Sequence, residues 1–307
     1  MTMIGRPRRR SLAILLSLGL PGLGELYAGR PRSGILTLAF IYLVSILIFA
    51  VLFAPLRGLA LVLLPLGLLL FGWVVVITRA VMVARNAPDP YPLQSYNRWY
   101  WYVTALIIWL FVLQPAQQHW LRSRWIQAFR IPSGSMERTL LVGDFILVSS
   151  RPSARIPRHD DVMIVEAFGA KQLITVKRVV GLPGDTMAMT DGTLIRNGVA
   201  VAEPYAQSVD PIHANELMTE GPDWQIRHLV NGGRTAARLY HPTPRNWGPL
   251  VVPPDSFFVL GDNRDNSYDS RFYGAVAKDH IRGKPIAIYF SLDRSSIRWS
   301  RIGRRFP

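Results

Sequence analysis

Apolar positions crowd the first third of the chain and then give way to short alternating runs. Residues 35–54 form 20 consecutive positions without a charge, long enough to cross a bilayer core as a helix. Residues 58–78 form a second such run. Only Pro55-Leu56-Arg57 separates the two, so the link forces an antiparallel helical hairpin. A shorter run, 103–113, follows Trp99, Tyr100, Trp101 and Tyr102, whose rings suit a membrane–water interface, so a third span is expected near 99–116. A buried soluble helix is the alternative for a run this short.

Residues 11–29 differ from these runs. They are apolar enough to enter the membrane, yet Gly19, Pro21, Gly22, Gly24 and Glu25 lie near their middle. Arg6, Arg8, Arg9 and Arg10 flank one end, and Arg30 and Arg32 the other. Cationic flanks favour the cytoplasmic side, which a re-entrant or interfacial hairpin satisfies and a single crossing does not. With three true spans, Arg79, Arg85 and Arg98 also fall inside, and everything beyond about residue 117 lies outside the cytoplasm. An N-terminal signal peptide removed at Ala28 is the competing reading.

Residues 117–129 mix Trp120, Trp125 and Phe129 with Arg122 and Arg124, the pattern of a juxtamembrane segment along lipid headgroups. Beyond it, the stretches 145–149, 162–166, 174–180 and 257–260 read as strands. Gly-Leu-Pro-Gly-Asp at 181–185 and Asn231-Gly232-Gly233 read as turns, with irregular loops between about 200 and 250. The expected architecture is a membrane region over 1–116, a juxtamembrane segment over 117–130 and a β-rich domain over 131–307. In class, that is N-terminal transmembrane α-helices followed by a mainly antiparallel all-β domain.

Composition sharpens this picture. The 307 residues include no Cys, which removes disulfides and Cys-rich metal sites. The formal charge of +15, beside several hydrophobic spans, points to anionic lipid headgroups rather than nucleic acid.

Three polar patches could carry chemistry. The first is Ile131-Pro132-Ser133-Gly134-Ser135-Met136, where a Ser between Gly and Met can expose a hydroxyl beside open backbone N–H groups. Ser and Gly are also common turn residues, so this patch alone does not decide. The second is Ile174-Thr175-Val176-Lys177-Arg178-Val179-Val180. Alternation puts Lys177 on the face of Thr175 and Val179 and turns Arg178 away. A Lys in an apolar strand is desolvated toward a neutral base, unless it snorkels from an edge. The third patch spans 261–271, where seven of eleven residues are Asp, Asn or Arg. It reads as a hydrogen-bond scaffold, because an EF-hand counted from Asp262 would need Gly and Glu where Ser267 and Tyr273 stand. The six His residues have no His-Glu-x-x-His spacing, and Gly-x-Ser-x-Gly is missing. A Ser/Lys arrangement remains.

Together, and in this order, the three patches resemble those of bacterial type I signal peptidases, over about residues 129–293. The resemblance includes 159–165, Val176 through Asp185, and 261–274. It implies a membrane-bound serine endopeptidase that removes signal peptides from exported preproteins through an acyl-enzyme, with neither cofactor nor metal. By the same resemblance Ser135 is the nucleophile and Lys177 the base. Ser133 completes the oxyanion hole with the Ser135 N–H, and Ser267 orients the lysine. Asp262, Arg264, Asp269 and Arg271, with Arg178, would be supporting ion pairs. Phe129, Ile131, Pro132, Met136, Leu140, Ile146 and Val176 would line shallow apolar pockets for small side chains. It further implies a bacterial inner-membrane location, the peptidase domain on the extracytoplasmic side with an apolar face toward the bilayer. The family commonly has Pro where this chain has Arg138, and its anchors are fewer than the hydrophobic region here. A soluble self-cleaving repressor peptidase is opposed by the three spans, and an inactive receptor-like relative by the intact Ser133, Ser135, Lys177 and Ser267.

Overall fold

The computed structural model describes residues 9–54, 56–87, 94–167, 173–208, 222–230 and 238–306, with the side chains of 120–124, 167 and 173 left aside. Arg6, Arg8, Pro55, His213 and the Asn231-Gly232-Gly233 turn lie outside the described residues. The chain divides into two compact units, Met1–Leu121 and Arg122–Pro307.

In the first unit, α1 (Arg10–Gly19) and α2 (Leu23–Tyr27) are joined by Leu20-Pro21-Gly22 and followed by α3 (Pro31–Phe53) and α4 (Ala60–Arg85). Ten residues of helix rise about 15 Å, half of a hydrocarbon core of about 30 Å. Residues 11–29 therefore contain no helix able to cross. Gly22 has φ +96°, and a Cβ there would lie 2.3 Å from the Gly34 carbonyl oxygen, so the entry to α2 can rest on α3 only without side chains. Glu25, which would be costly facing lipid, is fully buried. It accepts from Thr37 Oγ1 at 2.6 Å, and Arg79 Nε lies 3.9 Å from the same carboxylate.

α3 and α4 run 23 and 26 residues; α3 begins ahead of its apolar run and α4 continues beyond its own, and α3 opens on Pro31, which suits a first helical turn. The third apolar run is α5 (Trp99–Ile108), a π-helical turn (Trp109–Leu113) and α6 (Gln114–Arg124). Within it Trp99–His119 is the third helix long and apolar enough to cross a membrane. Ile35, Leu70 and Phe111 are each more than half exposed, the outward apolar surface that lipid would cover.

The expected juxtamembrane segment is divided by the structure. Its first part belongs to α6, whereas β1 (Ile126–Arg130) is paired along its whole length with β2 (Asp144–Ser149). Phe129 is thus a sheet residue.

The second unit holds two sheets. β3 (Val162–Ala167), β4 (Leu173–Gly181), β9 (Ser256–Leu260), β10 (Val276–Ala277), β11 (Ile281–Asp293) and β12 (Ser296–Ile297) join the first two strands. The sheet order is β1-β2-β11-β3-β4-β9-β10, with β12 on β11. A smaller sheet runs β7-β6-β5-β8, from β5 (Thr186–Thr190), β6 (Thr193–Arg196), β7 (Val199–Ala200) and β8 (Trp247–Val251). All these strand pairings are antiparallel. Alternation buries both faces of the large sheet: Val162 and Ile164 join one core with Ile131, Met136, Leu140 and Ile146, while Met163 and Val165 join another with Val179 and Val259. Strands 145–149, 162–166, 174–180 and 257–260 are present as expected from sequence. The central 13-residue β11 is not foreseen there, nor is the short helix α7 (Pro222–Arg227).

Candidate active site

Ser135 sits in the loop between β1 and β2. Ile131 N–H donates to Asp144 O at 2.8 Å and Gly143 N–H to Ile131 O at 3.0 Å, closing the loop at its base. Gly143 has φ +87°, and a Cβ there would lie 2.0 Å from Leu292 O, which bars any other residue. Met136 and Leu140 are buried and anchor the loop. Ser135 is left half-buried, its Oγ 3.4 Å from that of exposed Ser133. Asn263 steadies the turn, donating its N–H to Ser135 O at 3.1 Å and its Nδ2 to Gly134 O at 3.2 Å.

β4 carries the lysine. Register places Lys177 opposite Met163 and Arg178 opposite Val162, so adjacent cations point to opposite faces, as alternation predicts. Lys177 is 2% exposed, and its Nζ donates to Ser267 Oγ at 2.9 Å. Burial pushes its pKa down from 10.5 to about 8; Asp269 and Asp262 oppose the shift and Arg271 aids it.

Gly261 links the lysine to the serine loop. A Cβ on Gly261 would lie 2.2 Å from Ser267 Oγ and 2.6 Å from Ser135 O, so both residues press on one bare Cα. The space of a single methyl group separates the partner of Lys177 from the backbone of Ser135.

The polar patch that follows is buried and paired. Arg178 grips Asp262 at 2.8 and 2.7 Å, and its Nη1 donates to Asp160 O at 2.7 Å. Arg271, the second residue of the short helix α8 (Ser270–Tyr273), donates from Nε and Nη2 to Asp269 at 2.8 and 2.9 Å, and from Nη2 to Arg264 O at 2.6 Å. Burial works to raise the Asp269 carboxyl, but Arg271, Lys177 and the Gly261 N–H outweigh it and hold it below the usual carboxylate range. Such pairs cost desolvation, and their saturated hydrogen bonds make them rigid supports. Arg264 does not pair within the expected set. Its partner is Glu203, at 2.6 and 2.8 Å, which nothing in the sequence pattern singled out.

An apolar pocket opens beside the two serines. Of the residues that the resemblance names for a substrate pocket, Phe129, Ile131, Pro132, Met136 and Val176 line it, together with Ser133 and Ser135. Arg130, Ile164, Ile174 and Thr175 line it as well. Leu140 and Ile146 do not. Both are fully buried behind the pocket, where strand and loop alternation turns them into the core. Arg138, at the position where the family commonly has Pro, has φ +77°, which a proline ring cannot adopt. Gly261, Asn263 and Thr139, which donates to Asp262, are the supporting residues sequence reasoning missed. Asn263 and Gly261 stood inside the polar patch, but nothing in the pattern reveals a close approach across the fold.

The family profile described as "Signal peptidase, peptidase S26" matches residues 98–290. Signal peptidase I of Pseudomonas aeruginosa is 33% identical over 233 residues, covering 67% of this chain and 78% of that protein. Signal peptidase I of Leptolyngbya laminosa is 34% identical over 176 residues, covering 55% and 70% respectively. A crystal structure of a signal peptidase I from Enterococcus faecalis is 28% identical, covers 42% of this chain and 96% of that one, and superposes with a TM-score of 0.28.

Proposed function

The chain belongs to the signal peptidase family, peptidase S26, and from that membership and the site's geometry we propose that it removes N-terminal signal peptides from exported preproteins by Ser/Lys acyl transfer. Buried Lys177, held on Ser267 against the backbone of the Ser135 loop, carries this reading. With its pKa near 8, a useful fraction of Lys177 is neutral at neutral pH, and it takes the Ser135 Oγ proton as Oγ attacks the scissile carbonyl carbon. The tetrahedral oxyanion is held by the Ser133 hydroxyl and the Ser135 N–H. On collapse the C–N bond breaks and the Lys177 proton passes to the leaving amine. Water, deprotonated by Lys177, then attacks the acyl ester carbon; the C–Oγ bond breaks and the Lys177 proton returns to Oγ, which frees Ser135. No step calls on a cofactor.

The apolar pocket would accept the small residues before the cut, and large ones would be excluded by overlap. The three candidate spans and the cationic flanks of 11–29 support a multi-pass inner-membrane protein whose N-terminus is cytoplasmic and whose second unit is extracytoplasmic. The chain has no Cys, so single cysteines introduced by Met3→Cys, Arg32→Cys and Val199→Cys can read this topology with a membrane-impermeant thiol reagent. Only Val199→Cys should react in intact cells. Labelling at position 3 but not at 32 would mean that 11–29 crosses.

The catalytic test is cleavage of a fluorogenic peptide with Ala at the first and third positions before the scissile bond, using the detergent-solubilised chain. Ser135→Ala, Lys177→Ala and Lys177→Arg should each abolish turnover and leave the fold intact, since a guanidinium stays protonated. Near-normal turnover by Lys177→Arg would end the Ser/Lys mechanism.

A further inference from the structure

We infer that Glu203 and Tyr205 are positioning residues: the segment 203–208 is a clasp that fixes the Lys177–Ser267 pair for the reaction. The inference rests on the proposed Ser/Lys chemistry and extends it to residues outside the three motifs.

The clasp grips the polar loop at both ends. Glu203 and Arg264 form a two-point pair with each side chain 7% exposed. Arg264 Nε in turn donates to Gly261 O at 3.1 Å, at the residue wedged between Ser267 and Ser135. The Arg264 carbonyl accepts from Arg271 Nη2, which also reaches Ser267 O at 3.4 Å. Burial works to lower the Arg264 pKa, but the Glu203 carboxylate overrides it, so this cation keeps its charge inside the fold.

On the other side the Arg178 guanidinium lies over the Tyr205 ring, Cζ 3.7 Å from its centroid. The Tyr205 hydroxyl donates to Asp160 Oδ1 at 2.8 Å. Arg178 follows Lys177 in β4 and holds Asp262, so the ring fixes the strand position beside the base. The main chain completes the clasp: Gln207 N–H donates to Asp262 O and Arg264 N–H to Gln207 O, both at 2.8 Å.

A segment serving stability alone would have no reason to concentrate its bonds here. Most of these bonds land on Arg178, which follows the base, and on Asp262 and Arg264 in the loop that carries its orienting serine; the Tyr205 hydroxyl reaches Asp160, whose carbonyl oxygen accepts from Arg178. Displacing a catalytic group by about 1 Å from a distance costs about a hundredfold in rate. Loosening the clasp should therefore lower kcat while the substrate pocket, built on β1 and β4, keeps its KM.

The test compares Tyr205→Ala, Tyr205→Phe and Glu203→Gln in the full detergent-solubilised chain, with Ser135→Ala alongside. Tyr205→Ala and Glu203→Gln should lower kcat about ten- to a hundredfold with KM within about twofold. Tyr205→Phe keeps the ring on Arg178 and should stay within about threefold of the parent in kcat. Tyr205→Leu fills the volume without a π face, and the same kcat loss is expected of it should the alanine variant not fold. Full kcat in folded Tyr205→Ala or Tyr205→Leu, or a loss confined to KM, overturns the clasp. So does an equal kcat loss in Tyr205→Phe. Cleavage that survives in Ser135→Ala would instead overturn the underlying reaction, whatever the Tyr205 variants do.

Discussion

Replacing the proposed base by an isosteric apolar residue should make the protein inactive and more stable, and the gain should depend on pH in one direction. Lys177 is 2% exposed, and its pKa is lowered from 10.5 to about 8, chiefly by burial. Below pH 8 the amine is charged in both folded and unfolded chains, and the fold carries the full cost of burying it. Between pH 8 and 10.5 the folded amine is neutral while the unfolded one still binds a proton, so that cost fades as pH rises. A shift of this size corresponds to about 3 kcal/mol at pH 7. Lys177→Met removes the charge and also the bond to Ser267 Oγ, worth about 1 kcal/mol, which leaves a net gain of about 2 kcal/mol. For a unit of this size the gain is a rise of about 4–8 °C in Tm. Thermal unfolding of parent and variant in detergent, followed by near-UV circular dichroism at pH 7 and pH 10, measures it. The advantage should be present at pH 7 and nearly gone at pH 10. A variant less stable than the parent at pH 7, or an advantage unchanged at pH 10, would refute the claim that a buried ammonium is held there against its solvation.

With Lys177 as the proposed base, kcat/KM should rise about tenfold per pH unit up to about pH 8 and level off above, since an amine accepts a proton only when neutral. A profile flat from pH 6 to 9 would assign the base elsewhere. Gly261→Ala would put a methyl 2.2 Å from Ser267 Oγ and 2.6 Å from Ser135 O, so kcat should fall at least about a hundredfold in a chain that still folds; steady-state kinetics on the purified variant decides it. Arg138 holds φ +77°, so Arg138→Gly should raise stability by about 1 kcal/mol, whereas Arg138→Pro, although proline is common there in the family, should destabilise and reduce turnover. Chemical denaturation midpoints of the two variants should move in opposite directions.

The position of Gly261 also shows why parts of this site escaped a reading of the sequence. Its role is set by two atoms from Ser135 and Ser267, and only the first lies far away in the chain; neither contact leaves a trace in local pattern. Glu203 and Arg264 are likewise 61 positions apart, and a Glu in an irregular stretch looks like any solvated carboxylate until its partner is buried beside it. β11 was missed for a different reason. Gly283 and Pro285 interrupt its pattern, and bulges between Pro285 and Ala287 and between Ile288 and Phe290 break the two-residue period by which strands are recognised. Leu140 and Ile146 belong to the pocket only by the resemblance; in the fold the first turns inward from the loop after Ser135 and the second from β2, and both are buried.

What the sequence by itself determined are properties that each segment carries within its own length. Uncharged runs long enough to span a bilayer read as helices, because within one segment only a helix satisfies its own backbone in lipid. Alternation about Lys177 sends it and Arg178 to opposite faces whatever the strand pairs with. The order and spacing of the three polar patches were likewise legible before any fold. The tertiary structure alone decided which groups meet. It buried Glu25 against Thr37 and Arg79, set Lys177 on Ser267 across 90 residues of chain, and stacked Arg178 on Tyr205. Such partnerships depend on excluding water from charges that every segment alone would leave solvated, and that exclusion exists only once the helices of the first unit and the sheets of the second have closed over them.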